Sequence, residues 1–330
     1  MTTQMYREMA DQPAVLERLV ERFDDSVAAV GRLLTQPPVA TVFLGRGSSD
    51  NAATLGRYAA EFASGRPAAS AAPSLVTRYR APRDYRGVLV VALSQSGRTP
   101  EIAATTAALR EAGAWTVAIT NDEQSPLADA AELTLALDAG PELAVPATKT
   151  VTAQLLQVLA VSAALGPLPL SATDLAALPA AVATELADAD DLVALGQRWA
   201  EHSTLLAAAR GLQLAAAQET ALKIRETAQL TALGTSSADL LHGPIASVRA
   251  GSPVLLLDGD PATADDLAAL QARLTDEGVD VARLGGRPQP MLLAPILATV
   301  RGQRLALELT LARGLSPDAP RGLSKVTVTH

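Results

Sequence analysis

One run of polar residues has the composition of a phosphate-binding loop. It is Ser94-Gln-Ser-Gly-Arg-Thr99, which contains three hydroxyl side chains, one amide side chain and a glycine. Val88–Leu93, a continuous apolar run typical of a buried parallel strand, comes before it. After it, Thr99, Pro100 and Glu101 suit the N-cap and first turn of a helix. Open parallel sheets bind ligands at the carboxyl ends of their strands, and the N–H groups of a helix start favour phosphate. The residues leave one alternative: a turn whose hydroxyl groups only cap the helix that follows it, without binding a ligand.

A second polar segment, Gly-Arg-Gly-Ser-Ser-Asp at residues 45–50, also lies between an apolar run and a helical pattern. It lacks the third glycine of the dinucleotide-binding fingerprint and the Gly-Lys-Ser/Thr ending of a P-loop. Two hydroxyl-rich loops at neighbouring strand ends of one sheet therefore favour a small phosphorylated ligand over a nucleotide.

Charged candidates for proton transfer lie in the second half of the chain. Glu219, Lys223 and Glu226 follow one another at spacings of four and three, which places them on one face of a helix. The alternative for these three residues is an exposed stripe of charge. His242, in Leu-Leu-His-Gly-Pro, is one of three histidines, and it could instead cap a turn. Lys325 lies close to the carboxyl terminus, where a frayed tail is the alternative.

The elements that must position these residues form a repeating pattern. The predicted strands are residues 39–44, 88–93, 116–120, 132–137, 203–208, 253–257 and 279–284. Helical patterns lie between them, as at residues 214–227 and 263–277. Such a βαβ series predicts a doubly wound parallel sheet, and its restart after residue 199 predicts a duplicated α/β domain.

Composition excludes several classes of function. The net charge of −8 argues against a general nucleic-acid role, because a phosphate backbone requires a basic face. The absence of cysteine excludes disulfides, thiolate metal sites and cysteine nucleophiles. Arg7, Glu8 and Asp11 interrupt the apolar run that a signal peptide needs, so the cytoplasm is the expected compartment. The charge-free stretch after Lys149 predicts a helix buried in protein or between subunits rather than in a membrane.

Five motifs follow one another along the chain: Ser94-Gln-Ser-Gly, Ala-Leu-Lys223-Ile-Arg-Glu226, His242-Gly-Pro, Ala294-Pro-Ile and Pro320-Arg-Gly-Leu-Ser-Lys325-Val-Thr-Val. Together with an opening that is similar at residues 5–13, they resemble phosphosugar isomerases built from two sugar-isomerase (SIS) domains. The likeness is to the isomerase half of glucosamine-6-phosphate synthase, the glutamine–fructose-6-phosphate amidotransferase. It covers nearly all of the chain.

The resemblance implies an α/β fold of two tandem SIS domains, each a doubly wound, flavodoxin-like parallel sheet flanked by helices. We expect a helical lead-in at residues 1–34, a first SIS domain at 35–170, a helical connector at 171–198, a second SIS domain at 199–319 and an active-site tail at 320–330.

The resemblance also implies the site. The residues expected to bind phosphate share hydroxyl or amide side chains: Ser94, Gln95, Ser96, Thr99 and Ser49. Ser48 is expected to contact the sugar hydroxyls. Glu226 is implied as the base that moves a proton between C1 and C2, with Lys223 assisting at a neighbouring hydroxyl. His242 opens the sugar ring from the neighbouring subunit of a homodimer with shared active sites, and Lys325 lies against C1 or C2.

Differences from the synthase narrow the expected activity. The chain has neither the cysteine nor the length for a glutaminase domain, so it resembles stand-alone amino-sugar-6-phosphate deaminases. Arg98 and Ala147 replace a glutamate and a substrate-contacting serine of the synthase pattern. We therefore expect a metal-independent, cofactor-free enzyme that converts glucosamine 6-phosphate to fructose 6-phosphate and ammonia.

Three alternatives remain at this stage: a fructosamine-phosphate deglycase, an ammonia-dependent glucosamine-6-phosphate synthase, and a non-catalytic phosphosugar sensor. The expected partners are the sugar phosphate and a second subunit, with no nucleic acid and no membrane.

Overall fold

The computed structural model describes residues 3–285, 289–323 and 325. Contacts within the chain define two compact units. The first unit comprises residues 14–142 and 149–171 together with Lys325, and the second comprises residues 3–13, 143–148 and 172–323. Of the terminal segment 320–330, residues 324 and 326–330 lie outside the described part of the chain.

Helices and strands alternate through most of the described residues. The helices are α1 Gln4–Ala10, α2 Gln12–Glu21, α3 Phe23–Leu33, α4 Ser48–Ser64, α5 Pro73–Thr77, α6 Pro100–Glu111, α7 Pro126–Ala130, α8 Lys149–Ala163, α9 Ala172–Ala187, α10 Asp190–Trp199, α11 Leu214–Ala228, α12 Ser237–Leu241, α13 Ala264–Asp276 and α14 Ala294–Ala312. The strands are β1 Ala40–Leu44, β2 Ala68–Ser70, β3 Val88–Leu93, β4 Trp115–Thr120, β5 Leu133–Ala136, β6 Thr204–Ala209, β7 Thr231–Ser236, β8 Pro253–Leu257 and β9 Asp280–Leu284.

The sheet of the first unit has five strands in the order β2-β1-β3-β4-β5. Every pairing is parallel, and β1 pairs with β3 from Ala40 opposite Val88 to Leu44 opposite Ala92. This is the flavodoxin-like strand order, whose direction reverses between β1 and β3. The loops that follow these two strands therefore flank the position at which such sheets bind ligands.

The sheet of the second unit has four parallel strands in the order β7-β6-β8-β9. The predicted fold class, two parallel sheets flanked by helices, is thus confirmed. Two edge strands were not among the predicted ones. β2 contains only Ala-Ala-Ser, and β7 contains a glycine and three hydroxyl residues, so neither has the apolar run that marks a buried strand.

Helix α8 is the charge-free segment of the sequence. Its described side chains are buried from Lys149 to Ser162, which agrees with the predicted buried helix. Within the described residues, no helix combines the length and the apolar character needed to cross a membrane. Burial of this helix between subunits stays a prediction.

Helix α11 of the second unit is packed tightly against α14. A Cβ at Gly302 of α14 would lie 1.9 Å from the Oγ1 of Thr220 on α11, so only glycine permits this approach. One turn beyond Lys223, Thr227 is joined to Thr310 of α14 by a hydrogen bond of 2.8 Å between their hydroxyl oxygens. These contacts fix the end of α11 that carries Lys223 and Glu226.

Candidate functional site

The loop between β3 and α6 contains the predicted phosphate ligands Ser94, Gln95, Ser96 and Thr99. Helix α6 begins at Pro100 with Thr99 at the N-cap position, as predicted. Ser94 is buried, and its Oγ lies 3.4 Å from the Oγ1 of Thr99. The backbone N–H of Asn121 donates to the carbonyl of Gln95 at 3.0 Å, which ties the loop to the end of β4.

Gly97 allows this loop to turn. Its φ of 63° lies in the left-handed region, and an added Cβ would lie 2.0 Å from Ser125 Oγ. The carbonyl of Gly97 also accepts a hydrogen bond of 3.1 Å from the N–H of Leu127. The backbone at Gly97 therefore passes close to the start of α7.

The loop between β1 and α4 places Ser48 and Ser49 at the start of the helix. Ser49 is buried, and its Oγ accepts a hydrogen bond of 3.0 Å from the side-chain amide of Gln154 on α8. Gln154 was not among the predicted site residues, since an amide in an apolar run carries no motif. The structure thus connects one predicted phosphate ligand to helix α8.

The arginines of the two loops are paired with carboxylates. Arg46 donates through Nε, at 3.0 Å, and through Nη2, at 2.9 Å, to Oε2 of Glu101 in the first turn of α6. Arg98 is largely exposed and donates to Asp122 at 2.9 Å. Arg98 is therefore paired with a carboxylate at the exposed edge of its loop. The Arg46–Glu101 pair links the two predicted phosphate loops.

Two carboxyl groups near these loops have shifted pKa values. The pKa of Asp122 is lowered by the hydrogen bond from the Gln124 backbone N–H and by the hydrogen bond from Arg98. Desolvation raises the pKa of Asp50, and the nearby guanidinium groups of Arg46 and Arg57 oppose that rise. A carboxyl group that is more easily protonated repels a bound phosphate less.

Helix α11 brings together Glu219, Lys223 and Glu226. The Lys223 ammonium contacts the Oε2 of Glu226 and lies 3.5 Å from the Oε1 of Glu219. Lys223 and Glu219 are each 1% exposed, whereas the Glu226 side chain keeps 22% of its surface exposed. The interpretation of these residues as an exposed stripe of charge is therefore wrong.

This cluster is arranged so that Glu226 can accept a proton. A buried ammonium between two carboxylates leaves one net negative charge, and Glu226 is the carboxylate that solvent reaches. Within the described residues, Glu226 accepts a hydrogen bond at Oε2 and none at Oε1. A partly exposed carboxylate fixed through one oxygen has the geometry of a general base.

His242 follows α12, whose last turn it caps through its backbone N–H to the carbonyl of Asp239. The turn-capping alternative therefore holds for the backbone, and the side chain is exposed. Among the described residues, the imidazole ring takes part in no hydrogen bond or ion pair. It lines a cavity of about 360 Å³ together with Arg210, Asp266 and Arg273.

Lys325 belongs to the first unit, where its Nζ donates to the Oε2 of Glu142 at 3.0 Å. The Glu142 side chain is completely buried, and the Lys325 side chain is 23% exposed. Glu142 was not among the predicted site residues. Its signal was its place three residues before Val145-Pro-Ala-Thr-Lys149, the segment in which Ala147 replaces the serine of the synthase pattern.

The structure thus groups the predicted residues into sets that each lie within one unit. The first unit holds the loops of Ser48, Ser49 and Ser94 to Thr99, together with Lys325, and the second unit holds Lys223, Glu226 and His242. The predicted roles of these residues stay predictions. Among the described residues, no group of three or more His, Asp and Glu side chains is arranged to hold a metal ion.

Comparison with known proteins identifies the family. The model of the SIS domain matches residues 35–164 and 200–285. The chain therefore belongs to the SIS domain family, as its motifs predicted.

One curated relative is the glutamine–fructose-6-phosphate aminotransferase (isomerizing) of Mycolicibacterium paratuberculosis, which is 34% identical over 98% of this chain and 58% of its own length. The chain thus spans just over half of this relative. A crystal structure from Silicibacter pomeroyi, described as a candidate phosphosugar isomerase, is 33% identical with a TM-score of 0.87 and matches 96% of this chain and all of that one.

Glucosamine-6-phosphate deaminase from Thermotoga maritima is similar in fold, with a TM-score of 0.77 over 99% of this chain and all of its own, at 22% identity.

Proposed function

We propose that the protein is a phosphosugar isomerase that converts glucosamine 6-phosphate and water to fructose 6-phosphate and ammonia. The observation that carries this proposal is the Glu226 carboxylate, which buried Lys223 holds through one oxygen while the side chain stays partly exposed. Aldose–ketose interconversion needs one such base within reach of two adjacent carbons, so that it takes and returns the same proton.

The reaction proceeds in steps assigned to these residues. His242 promotes ring opening and yields the free aldehyde at C1 with the amine on C2. Glu226 removes the proton from C2 and returns it to C1, while Lys223 polarises a neighbouring hydroxyl. The resulting C2 imine adds water and releases ammonia, which leaves the ketone of fructose 6-phosphate.

Phosphate binding is assigned to Ser94, Gln95, Ser96, Thr99 and Ser49, with Ser48 on the sugar. Support comes from the strand order, which puts both loops beside the reversal between β1 and β3. It also comes from the pairing of Arg46 and Arg98 with carboxylates, which leaves backbone N–H groups and hydroxyls as the ligands. Lys325 is assigned to C1 or C2 of the sugar.

We also propose a homodimer in which His242 acts in the active site of the other subunit. Its exposed ring has no partner among the described residues of its own chain. Leu233 of edge strand β7 is 54% exposed and Leu241, the last residue of α12, is 45% exposed. Such exposure is high for leucine and suits a surface that a second copy covers. The cytoplasm remains the proposed compartment.

The deciding experiment measures ammonia release from glucosamine 6-phosphate, galactosamine 6-phosphate and fructosamine phosphates. Release from glucosamine 6-phosphate with formation of fructose 6-phosphate is the expected result. Release only from fructosamine phosphates would indicate a deglycase, and formation of glucosamine 6-phosphate from fructose 6-phosphate and ammonia a synthase. Tight binding of a sugar phosphate without turnover would indicate a sensor.

A further inference from the structure

Helix α6 of the first unit carries a hydroxyl between two apolar positions of its buried face. Ile102, Thr105 and Leu109 follow one another at spacings of three and four, so they share one face of the helix. Ile102 belongs to an apolar cluster with Leu44. Leu109 belongs to a second apolar cluster with Val90. Thr105 lies between them and is 1% exposed, so it interrupts the apolar face at its centre.

The Thr105 hydroxyl has no hydrogen-bond partner among the described residues. The hydroxyl of Thr106, the next residue, is also buried but donates to the carbonyl of Ile102 at 2.9 Å, as threonines in helices often do. A buried polar group without a partner destabilises the folded state. Valine has nearly the same shape and lacks the hydroxyl, so stability does not explain a threonine at position 105.

A cavity of about 260 Å³ adjoins Thr105. It lies between α6, α5 and the loops on either side of α5. Its other polar lining residues are Arg83 and Asp84, and the rest are apolar or aromatic. Leu75 of this lining is 49% exposed, so part of the apolar wall is open to solvent. An apolar cavity of about 150 Å³ holds one benzene ring, so this one has room for roughly ten non-hydrogen atoms.

Arg83 gives the opening of the cavity a positive charge. The residue is exposed, and within the described part of the chain its guanidinium donates only to the carbonyl of Ala81, at 3.5 Å, and forms no ion pair. The neighbouring Asp84 carboxylate accepts a hydrogen bond of 2.8 Å from Arg86 instead. Arg83 is thus available to an anion, and its planar donors match the two oxygens of a carboxylate.

We propose that this cavity binds a small carboxylate that has an apolar body and one further polar oxygen. The carboxylate pairs with Arg83, and the apolar body fills the space between α5 and α6. The further oxygen forms a hydrogen bond with the Thr105 hydroxyl. None of the lining residues belongs to the predicted phosphate loops, so this site is distinct from the candidate active site and does not depend on the proposed function.

Binding is measured by NMR on protein with isotope-labelled leucine and valine methyl groups, because Val76 and Leu109 line the cavity and report contact directly. The probe is 7-hydroxyheptanoate, a flexible chain of about ten non-hydrogen atoms with an oxygen group at each end. Heptanoate lacks its hydroxyl, and 1,7-heptanediol lacks its charge. We expect saturable shifts at Val76 and Leu109 with a Kd of about 1 mM or below. Both simpler probes should bind more weakly.

Two adjacent threonines provide a matched pair of variants. Thr105→Val should weaken binding of 7-hydroxyheptanoate about fivefold and leave that of heptanoate unchanged, because only the first probe uses the hydroxyl. Thr106→Val should leave both affinities at the wild-type value, since the Thr106 hydroxyl donates to Ile102 and does not line the cavity. Circular dichroism establishes that both variants are folded.

Arg83→Gln tests the charge. It should weaken binding of heptanoate about fivefold and leave that of 1,7-heptanediol unchanged, because only the carboxylate pairs with the guanidinium. Arg110→Gln is the control, since Arg110 is exposed in the last turn of α6 and does not line the cavity. It should change neither affinity. Fructose 6-phosphate should not displace the probe.

The outcomes decide the proposal without any turnover. Shifts at Val76 and Leu109, with weaker binding in Thr105→Val and Arg83→Gln, support the site and its ligand class. No shift with any probe would overturn the proposal. Equal affinity for all three probes would show selection for apolar bulk alone and overturn the ligand class. Displacement by fructose 6-phosphate would place the probe in the candidate active site. A protein that binds the probe but turns over no sugar phosphate would refute the proposed function and leave this site standing.

Discussion

At the scale of single residues, Lys223 connects two carboxylates of different exposure. Glu219 is enclosed with it, so this carboxylate balances the buried ammonium. Glu226 shares the same ammonium but remains within reach of solvent. Removing one partner from a buried ion pair costs about 3 to 5 kcal/mol, so Lys223 and Glu219 are sensitive positions for stability. Glu226 is the position at which chemistry and folding can be separated.

We therefore predict that Glu226→Gln lowers kcat about a hundredfold or more and leaves substrate binding intact, because the amide keeps the shape but cannot act as the base. The measurement is exchange of the C2 proton of the substrate with solvent, followed by NMR in deuterium oxide. Exchange at the wild-type rate would exclude Glu226 as the base and make Glu219 the next candidate.

A second prediction concerns the loop after β3. Ser96→Ala and Thr99→Ala should each weaken phosphate binding by about 1.5 to 3 kcal/mol, which raises KM roughly ten- to a hundredfold. The reason is the loss of a hydroxyl that donates to a charged group. Steady-state kinetics with both variants is the test, and Arg98→Ala is the control, since Arg98 is engaged by Asp122. An unchanged KM in both serine and threonine variants would refute the phosphate assignment.

Residue types and spacing predicted which side chains share a helix face or a loop, but not how they are enclosed. The spacing of Glu219, Lys223 and Glu226 fits an exposed stripe as well as a buried cluster. Only burial in the folded chain decides between them, and Glu219 and Lys223 are each 1% exposed. Gln154 and Glu142 were missed for a related reason, since their partners Ser49 and Lys325 lie 105 and 183 residues away in sequence.

At the scale of elements, helix α8 supplies polar groups to two parts of the first unit. Thr150 and Gln154 are four residues apart and so lie on the same face of the helix. Thr150 donates hydrogen bonds to the Glu142 carboxylate, and Gln154 donates a hydrogen bond to the Ser49 hydroxyl. One face of this buried helix thus orients a carboxylate at one point and a hydroxyl at another.

The third prediction compares two glutamines of this helix. Gln154→Leu removes the donor to Ser49, and KM should rise roughly three- to tenfold because one hydroxyl loses its fixed orientation. Gln157→Leu removes a hydrogen bond to the carbonyl of Ala136 and should cost about 1 to 3 kcal/mol of stability at unchanged KM. Thermal melts and kinetics of the two variants form the test. Equal effects on KM would mean that Gln154 acts only through stability.

The strands that the sequence predicted are those with continuous apolar runs, such as β3 and β8. Edge strands β2 and β7 were missed because β2 is only Ala-Ala-Ser and β7 contains a glycine and three hydroxyl residues, whereas the edge strands β5 and β9 have more regular apolar patterns. Parallel order could be predicted from the βαβ rhythm. The strand order β2-β1-β3-β4-β5 could be expected only from the resemblance to SIS domains, because rhythm does not tell on which side of β1 the next strand pairs.

At the scale of the whole molecule, the chain enters each compact unit more than once, which no local pattern reveals. Residues 143–148 belong to the second unit although their flanking residues belong to the first. Part of the reason is Glu8 of α1, a buried carboxylate that accepts hydrogen bonds from the backbone N–H groups of Leu143 and Ala144 at 2.5 Å and 3.1 Å. A contact across 135 residues of sequence is set by packing rather than by periodicity.

The last prediction concerns how two copies of the molecule share one reaction. If His242 acts in the other subunit, an inactive Glu226→Gln protein and an inactive His242→Ala protein should restore activity when they are unfolded together and refolded. Random pairing makes half of the dimers mixed. A twofold interface gives each mixed dimer one site with both substitutions and one site with neither, so roughly a quarter of all sites should be wild type.

The imidazole of His242 is the structural reason to expect this recovery. It is exposed and makes no hydrogen bond or ion pair with the described residues of its own chain. Each parent refolded alone is the control, and its activity should stay near zero. Mixed dimers are identified by a mass tag on one parent. Mixed dimers that form and bind sugar phosphate but show no activity would place His242 in the site of its own subunit, since every site would then carry one of the two substitutions.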